Sequence, residues 1–248
     1  MINMHKKIFI LLSFIVISFI DASPIVDIEN VRQSGEIGKF KNFEFSLNSS
    51  RGNEDRDDFD LGIALVNNSS TIEKLLVFER SERTQDDIIE DEATFLHARV
   101  LWQSDRKYDF EAYLQSSENP FQSYKRRDLV GLGIRFTELK SIKLSLSLLY
   151  ENEESLFGNE KSTERFNLFL NRDISFNNDS FLTGSIFFQP SLSDFSDDYK
   201  YSISISYNVP VSENFSIKFK VSESFDNDPP DLAEKSDQSL STSFIYSF

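Results

Sequence analysis

The sequence predicts an all-β fold, a transmembrane antiparallel up-and-down β-barrel of about twelve strands. Three observations predict it: an export signal, period-two alternation of apolar and polar residues, and acidic charge gathered in every second connection. The 248 residues include 25 Phe, yet the formal net charge is −15. Such an acidic chain is a poor partner for nucleic acid, and a disordered protein would have few aromatic residues.

The N-terminus predicts a cleaved secretory signal peptide. Met1–Lys7 is a basic leader, Ile8–Ile20 is an apolar run of 13 residues, and cleavage is expected after Ala22. A membrane-anchoring helix needs about 20 apolar residues, and Asp21 ends this run too early. The predicted divisions of the chain are a signal peptide over 1–22, a short periplasmic lead-in over 23–38 and an outer-membrane barrel over 39–248.

Period-two alternation continues through the rest of the chain, as expected for strands with one apolar face. In one segment, for example, Ile203 and Ile205 alternate with Ser202 and Ser204. Most of the segments have about 8–11 residues, close to the 9–11 that a tilted membrane strand needs. They cover about 39–48, 58–66, 71–78, 94–103, 110–115, 130–136, 142–150, 165–171, 182–189, 199–209, 215–222 and 239–248.

The connections between these segments are predicted to alternate between short and long. The long ones are about 49–58, 79–92, 116–128, 151–165, 190–198 and 224–237, and together they carry a formal charge of −16. Short turns at one rim and long loops at the other are typical of an outer-membrane barrel, with both termini periplasmic. A soluble periplasmic ligand-binding barrel also alternates, but it has less reason to confine its acidic residues to one rim.

The chain ends in Phe248, with Tyr246 and Phe244 on the same face of the last predicted strand. A terminal Phe on an amphipathic strand resembles the signal read by the barrel assembly machinery, so these three residues are the predicted assembly signal. Aromatic residues also fall near the ends of other segments, Tyr150 and Trp102 among them. That placement favours the aromatic girdles of a membrane barrel.

Two stretches carry a family resemblance. FEAYLQSSENPFQSYKRRDLVGLGIRF, over 110–136, resembles the Glu…Gln…Asn…Phe…Arg…Gly-x-Gly-x-Arg pattern of the salt-induced outer-membrane proteins, also called domain of unknown function 481. DNDPPDLAEKSDQSLSTSFIYSF, over 226–248, resembles the closing loop and terminal strand of that family. The resemblance extends over about 39–248, with the N-terminal third matching only in general style. It implies an outer-membrane barrel and no assigned chemistry.

The predicted inward faces suggest a charge network in the lumen. Arg99, Glu111 and Arg135 lie on the inward faces of the fourth, fifth and sixth segments, which are neighbours, and His97 shares the face of Arg99. Such a network either braces the barrel as internal ion pairs or forms a constriction that selects solutes. Four lysines are also predicted to point inward: Lys143, Lys200, Lys218 and Lys220.

The residues give little support for an enzymatic function. Some twelve-stranded outer-membrane barrels are lipid hydrolases with a Ser-His-Asn arrangement, and His97 is the single His after the predicted signal. We expect His97 to face the lumen and to bond to a neighbour, and no nucleophile can be chosen beside it. The chain has no Cys, which excludes thiolate metal sites and thiol nucleophiles. The prediction is therefore a protein that is not an enzyme, without a cofactor or a metal site.

The acidic connections invite a divalent-cation hypothesis. Asp226–Asp228 with Asp231, and Asp86–Asp87 with 90–92, are rich in oxygen ligands, but neither matches the spacing of an EF-hand. A solvated acidic surface is the expectation, with weak cation bridging to lipopolysaccharide as a hypothesis. The predicted partners are outer-membrane lipids, lipopolysaccharide and the barrel assembly machinery, with a monomer favoured.

Two functions remain open for such a barrel in the outer membrane of a Gram-negative-type bacterium. It could be a narrow solute pore, or a structural barrel that supports the envelope. The alternatives are a lipid hydrolase that uses His97 and a soluble periplasmic ligand-binding barrel.

Overall fold

A computed structural model of the chain describes residues 37–50, 55–104, 107–120, 124–136, 142–176, 179–212, 215–230 and 234–246. The described residues form twelve strands in one sheet. The strands are β1 (Gly38–Ser50), β2 (Arg56–Asn68), β3 (Ile72–Gln85), β4 (Ile88–Trp102), β5 (Tyr108–Asn119), β6 (Tyr124–Phe136), β7 (Ile142–Ser155), β8 (Glu160–Ser175), β9 (Phe181–Pro190), β10 (Tyr199–Ser212), β11 (Phe215–Asp226) and β12 (Ser236–Tyr246).

Each strand pairs antiparallel with the next strand in the chain, from β1 through β12. The predicted all-β, up-and-down order of twelve strands is therefore confirmed. The described pairings do not include one between β1 and β12, so closure of the sheet stays a prediction. In the part of the chain that the structure describes, no helix is long and apolar enough to cross a membrane.

The prediction of long loops was wrong at several positions, because the strands continue into them. β3 and β4 extend to Gln85 and Ile88 and leave a connection of only Asp86 and Asp87, where the sequence predicted a loop over 79–92. The charged residues of these stretches keep the strand alternation and pair with one another within a strand and across neighbouring strands. Arg80 in β3, for example, lies 3.0 Å from Glu82 in the same strand and 3.1 Å from Glu92 in β4.

The two rims of the sheet can now be defined. The terminal rim is the edge at which β1 begins and β12 ends, and its described connecting residues are 69–71, 103–104, 107, 176 and 179–180. The distal rim is the opposite edge, and its described connecting residues are 55, 86–87, 120, 156–159, 191–198, 227–230 and 234–235. Of the acidic residues predicted for long loops, those that the structure describes lie on the distal connections and on the strand ends that approach them.

The sheet is curved, and contacts between non-neighbouring strands show it. Lys200 in β10 lies 3.1 Å from Glu151 in β7, although β8 and β9 separate the two strands. In a flat sheet these strands would be about 14 Å apart, and side chains stand roughly perpendicular to the sheet. The face that carries Lys200 and Glu151 is therefore concave.

Burial across this sheet is the reverse of that in a soluble protein. Polar side chains on the concave face are buried, as Ser145 and Asn171 illustrate, each with 1% of its surface exposed. Apolar side chains on the convex face are exposed, with Leu132 at 66% and Leu148 at 57%. A large exposed apolar surface needs an apolar surrounding, and a hydrocarbon environment supplies one.

Aromatic side chains cluster near both ends of the strands, as the sequence predicted. Towards the distal rim, the ring of Tyr199 stacks on Phe225 with centroids 5.7 Å apart, and Phe195 packs edge-on against Phe188 at 6.0 Å. Towards the terminal rim, Tyr108 and Phe110 pack edge-on at 5.6 Å, and Phe176 meets Tyr207 at 6.0 Å. Trp102 and Tyr150 are exposed on the convex face.

Several predictions fall on residues for which the structure gives little or nothing. The signal peptide, its cleavage after Ala22 and most of the lead-in lie outside the described residues, as does Phe248. Phe244 and Tyr246 belong to β12 and are paired in register with Ile217 and Phe215. The role of these residues as an assembly signal stays a prediction.

Candidate functional site inside the curved sheet

The concave face holds a buried ionic cluster in its distal half. The cluster consists of charged side chains from five strands and one connection: Arg127 (β6), Glu151 and Glu153 (β7), Arg165 (β8), Asp198 (before β10), Lys200 (β10) and Asp226 (β11). All of them are less than one-tenth exposed, and Arg127, Glu151, Arg165 and Lys200 each have 1% of their surface exposed. At that exposure the interior beside these side chains is filled by protein.

Glu151 is the centre of the cluster, because its carboxylate is paired with three cationic side chains. Its Oε1 accepts hydrogen bonds from Nε of Arg127 and from Nζ of Lys200, the latter at 3.1 Å. Its Oε2 accepts a hydrogen bond from Nε of Arg165. A buried charge is stable only when it is paired and its polar atoms are hydrogen-bonded, and here the pairing joins β6, β7, β8 and β10.

Lys200 in turn connects β7 to β11. Its Nζ lies 2.9 Å from Oε2 of Glu153 and 3.0 Å from Oδ2 of Asp226. With Glu151, this ammonium group has three carboxylate partners. An ammonium group has three N–H donors, so the geometry matches its full hydrogen-bonding capacity.

The connection between β9 and β10 forms the outer edge of the cluster. The carboxylate of Asp198 lies 2.7 Å from Nη1 of Arg165 and 2.8 Å from Nζ of Lys161. Burial alone would raise the pKa of this carboxyl, but the hydrogen bonds and positive charges of Lys161 and Arg165 outweigh burial and hold the pKa below its ordinary value. Lys161 also lies 2.6 Å from Asp228, which follows β11.

The predicted lumen network lies on the same face, nearer the terminal rim. Oε2 of Glu111 is 3.8 Å from Nη1 of Arg99 and 3.6 Å from Nη2 of Arg135. Ser145 donates a hydrogen bond to Oε1 of Glu111, and the guanidinium of Arg135 lies 5.6 Å from the ring centroid of Phe169. The structure thus brings the three predicted charges together, while a role for them in solute selection stays a prediction.

His97 is also on the concave face and is 3% exposed. Its ring stacks between Phe95 and Tyr113, with centroids 6.1 and 5.8 Å away, and its Nδ1 lies 3.3 Å from Oε1 of Gln115. These contacts fill the surroundings of the imidazole with aromatic rings and an amide. They place His97 away from the convex face, where a membrane lipid would be reached.

On the concave face of β1 to β4, the buried side chains are mainly apolar. Ala64, Val66, Leu75, Val77 and Phe95 form a buried cluster on the concave face, against which Phe40 packs. The interior therefore has two kinds of filling: an apolar cluster along β1–β4 and paired charges along β6–β11.

The predicted inward lysines have different surroundings. Lys200 is buried in the ionic cluster, whereas Lys143 is one-third exposed and lies 3.5 Å from Asp173. Lys218 and Lys220 are half-buried. The acidic stretch at Asp226 is likewise occupied by cations of the protein itself, and the described residues include no group of three or more His, Asp or Glu side chains placed to hold a metal ion.

Most of the ionic cluster escaped sequence analysis, because Arg127, Glu151, Glu153, Asp198 and Asp226 fell within predicted loops. One signal was present. In β7 the buried positions continue from Ser145 through Glu151 to Ser155 with an unbroken period of two. Following the alternation past the first charged residue would have placed Glu151 on the inward face.

These features define an antiparallel β-sheet protein with a largely polar concave face and an apolar convex face. The chain belongs to the family described as "Protein of unknown function, DUF481", whose model matches residues 43–248. The resemblance noted in the sequence is thereby confirmed. A comparison with curated protein sequences gives no match.

Solved structures of bacterial barrels resemble the chain at low sequence identity. A structure titled "NanC porin structure in rhombohedral crystal form" has 8% identity and a TM-score of 0.49, covering 85% of this chain and 99% of that one. An anion-selective porin from Comamonas acidovorans has 9% identity and a TM-score of 0.40, covering 85% and 100%. The beta domain of the Bordetella autotransporter Brka has 12% identity and a TM-score of 0.36, covering 84% and 97%.

Proposed function

We propose that the protein is an integral outer-membrane β-barrel that supports the envelope structurally and provides no continuous solute path through the distal half of its lumen. The observation that carries the proposal is the burial of the ionic cluster. Glu151, Arg127, Arg165 and Lys200 join four strands, and none of them has more than 1% of its surface exposed. A solute channel needs water-accessible polar groups along its length, and this region has paired groups without access.

Location in the outer membrane is supported by the exposed apolar convex face and by the aromatic clusters at both strand ends. The direct test is fractionation of cells that produce the full chain, followed by alkaline carbonate extraction of the membranes. Retention in the outer-membrane fraction supports the proposal. Release into the soluble fraction contradicts it and favours a soluble periplasmic barrel.

The closed lumen is tested by conductance of the purified protein in planar lipid bilayers. We expect no discrete current steps from the wild type. A triple variant, Glu151→Ser, Arg165→Ser and Lys200→Ser, removes the centre of the cluster and is expected to conduct, provided that it keeps the heat-dependent gel mobility of a folded barrel. The matched control is Lys125→Ser with Glu154→Ser, a convex-side ion pair at 2.7 Å, which is expected to stay silent.

A narrow pore is the second candidate, and a specific observation favours it. On the concave face Glu79 is exposed at the middle of β3, and Asp173 is exposed near the terminal rim. Water therefore reaches polar groups of the interior at two levels, along different strands. Reproducible steps from the wild type would overturn the structural proposal and favour the pore. Ion selectivity that changes with Glu79→Gln would then locate the path.

A further inference from the structure

The distal rim carries apolar side chains where solvent exposure is least expected. They are Ile88 and Ile89 after the β3–β4 turn and Leu156 and Phe157 in the β7–β8 connection, and we refer to them as the distal tips. Phe157 is 76% exposed and Ile88 is 69% exposed. Adjacent exposed apolar side chains occur at Ile88–Ile89 and again at Leu156–Phe157, and exposed apolar patches rimmed by polar residues mark interaction sites.

The distal tips lie well beyond the apolar band of the convex face. On β4 the outward side chains change from apolar at Leu96 to polar at Thr94 and Glu92 before Ile89 is reached. On β7 they change from Tyr150 to Asn152 and Glu154 before the connection begins. Six or seven residues of tilted strand correspond to about 15 Å along the barrel axis, so the bilayer does not cover the distal tips.

Each tip is held by a hydrogen-bonded connection. In the β7–β8 connection, Ser155 N donates to Asn159 O at 2.8 Å, and Gly158 N donates to Ser155 O at 3.0 Å. At the β3–β4 turn, Asp86 N donates to Asp55 O at 2.8 Å, which fastens this turn to the start of β2. The tips are therefore presented by ordered backbone.

Exposed carboxylates surround the distal tips. Asp86, Asp87 and Glu90 flank Ile88 and Ile89, and Glu160 follows Phe157. Because the distal tips are surrounded by negative charge, the charge of a binding partner determines whether it fits this surface. A second copy would bring an equally acidic rim against this one, and an anionic lipid surface would be repelled. A cationic polypeptide with interspersed apolar side chains complements both the charge and the apolar tips.

We infer that the distal rim is a docking surface for a cationic, partly apolar polypeptide, with the distal tips making the apolar contacts and the surrounding carboxylates setting the sign of the partner. This inference goes beyond the proposed function and holds whether or not the lumen conducts. Charge would steer the partner and make binding sensitive to salt, while burial of Phe157 and Ile88 would supply the contact area.

The test uses the folded protein in phosphatidylcholine nanodiscs and a fluorescein-labelled short peptide in which Lys and Phe alternate, with fluorescence anisotropy as the readout and empty nanodiscs as the blank. We expect binding above the blank that weakens as salt rises from roughly 50 to 500 mM. A matched peptide with Glu in place of Lys is expected to give only the blank signal.

Variants distinguish binding that depends on the distal tips from binding that depends only on the acidic charge of the rim. Ile88→Ser with Phe157→Ser is expected to weaken binding at least about tenfold, while Val211→Ser, at an exposed apolar residue near the terminal rim, leaves it unchanged. The inference is overturned if the Lys/Phe peptide gives only the blank signal, if the Glu/Phe peptide binds as tightly, or if the tip variant binds like wild type. Because all three substituted residues are exposed, each variant is expected to keep the gel mobility of the folded barrel.

Discussion

Lys200 Nζ in β10 lies 3.1 Å from Oε1 of Glu151 in β7, and neither residue is more than 1% exposed. The same carboxylate also accepts hydrogen bonds from Arg127 and Arg165. The arrangement fixes the curvature of the sheet between β6 and β10, because the four side chains meet only when these strands wrap around them. These paired charges join β6, β7, β8 and β10 on the concave face, in the region where an open barrel would contain water.

Replacing Glu151 with Gln should be among the most destabilising single changes in this protein. The amide keeps the volume but leaves Arg127, Arg165 and Lys200 without their central counter-charge, and breaking a buried pair in this way costs about 3–5 kcal/mol. Urea unfolding in detergent, followed by the fluorescence of Trp102, the single tryptophan, measures the loss. Glu154→Gln is the control, since its partner Lys125 is exposed, and we expect at most about 1 kcal/mol. Equal losses in the two variants would contradict a special role for Glu151.

The contribution of Asp198, at the edge of the ionic cluster, to the free energy of unfolding should depend on pH. Since Lys161 and Arg165 lower the pKa of Asp198 in the folded protein, the carboxylate stabilises the fold above its unfolded pKa of about 3.9, and this contribution is lost as pH falls through the lower, folded value. Asp198→Asn should therefore reduce the free energy of unfolding by about 1–3 kcal/mol at pH 7. The difference from wild type should shrink below about pH 4.

Urea midpoints between neutral and acidic pH measure this dependence. Asp194→Asn, in the same connection but exposed, is expected to follow wild type throughout. If wild type and Asp198→Asn lost stability in parallel on acidification, the ion pairs of Asp198 would not be the source of the pH dependence.

The fold was predictable because a membrane strand repeats its signal at every second residue. Leu96, Ala98 and Val100 point outward and His97 and Arg99 point inward, as their alternation predicted. The apolar interior wall was not predictable in the same way. In β3, Leu75 to Phe78 are all apolar, so alternation does not distinguish the buried Leu75 and Val77 from their outward neighbours.

The ionic cluster was missed for a different physical reason. Charged residues are usually solvated, so runs such as Glu151 to Glu154 were interpreted as loops. In the structure Glu151 and Glu153 are buried, and Glu154 is on the convex side. Whether a buried charge has a counter-charge depends on residues from strands far apart in the chain, as Lys200 and Glu151 illustrate. A single sequence contains no local signal for that pairing.

Gly131 is expected to tolerate no side chain. An added Cβ would overlap the ring of Tyr113, which crosses over β6 so that its hydroxyl lies 3.0 Å from Oγ of Ser147 in β7. Gly131→Ala should displace this ring and destabilise the protein by about 1–3 kcal/mol. Gly184→Ala is the matched control, because nothing lies within 4 Å of its added Cβ, and we expect a change within about 0.5 kcal/mol. In a Tyr113→Ala background the cost of Gly131→Ala should largely vanish; a cost that persists there would assign it to the backbone.

The β3–β4 turn offers a stabilising change. Asp86 and Asp87 have φ of 48° and 64°, and positive φ at both central residues is what a type I′ hairpin turn requires, with Gly preferred at the second. Asp87→Gly removes the steric penalty of left-handed backbone on a residue with a Cβ, and we expect the free energy of unfolding to rise by about 0.5–1 kcal/mol. Asp86→Gly is the control, because Oδ1 of Asp86 accepts a hydrogen bond from Asp55 N at 3.2 Å, and losing that bond offsets the backbone gain. Urea midpoints compare the two variants with wild type. A lower midpoint for Asp87→Gly would mean that the Asp87 side chain itself holds the turn, and the steric argument would then be wrong.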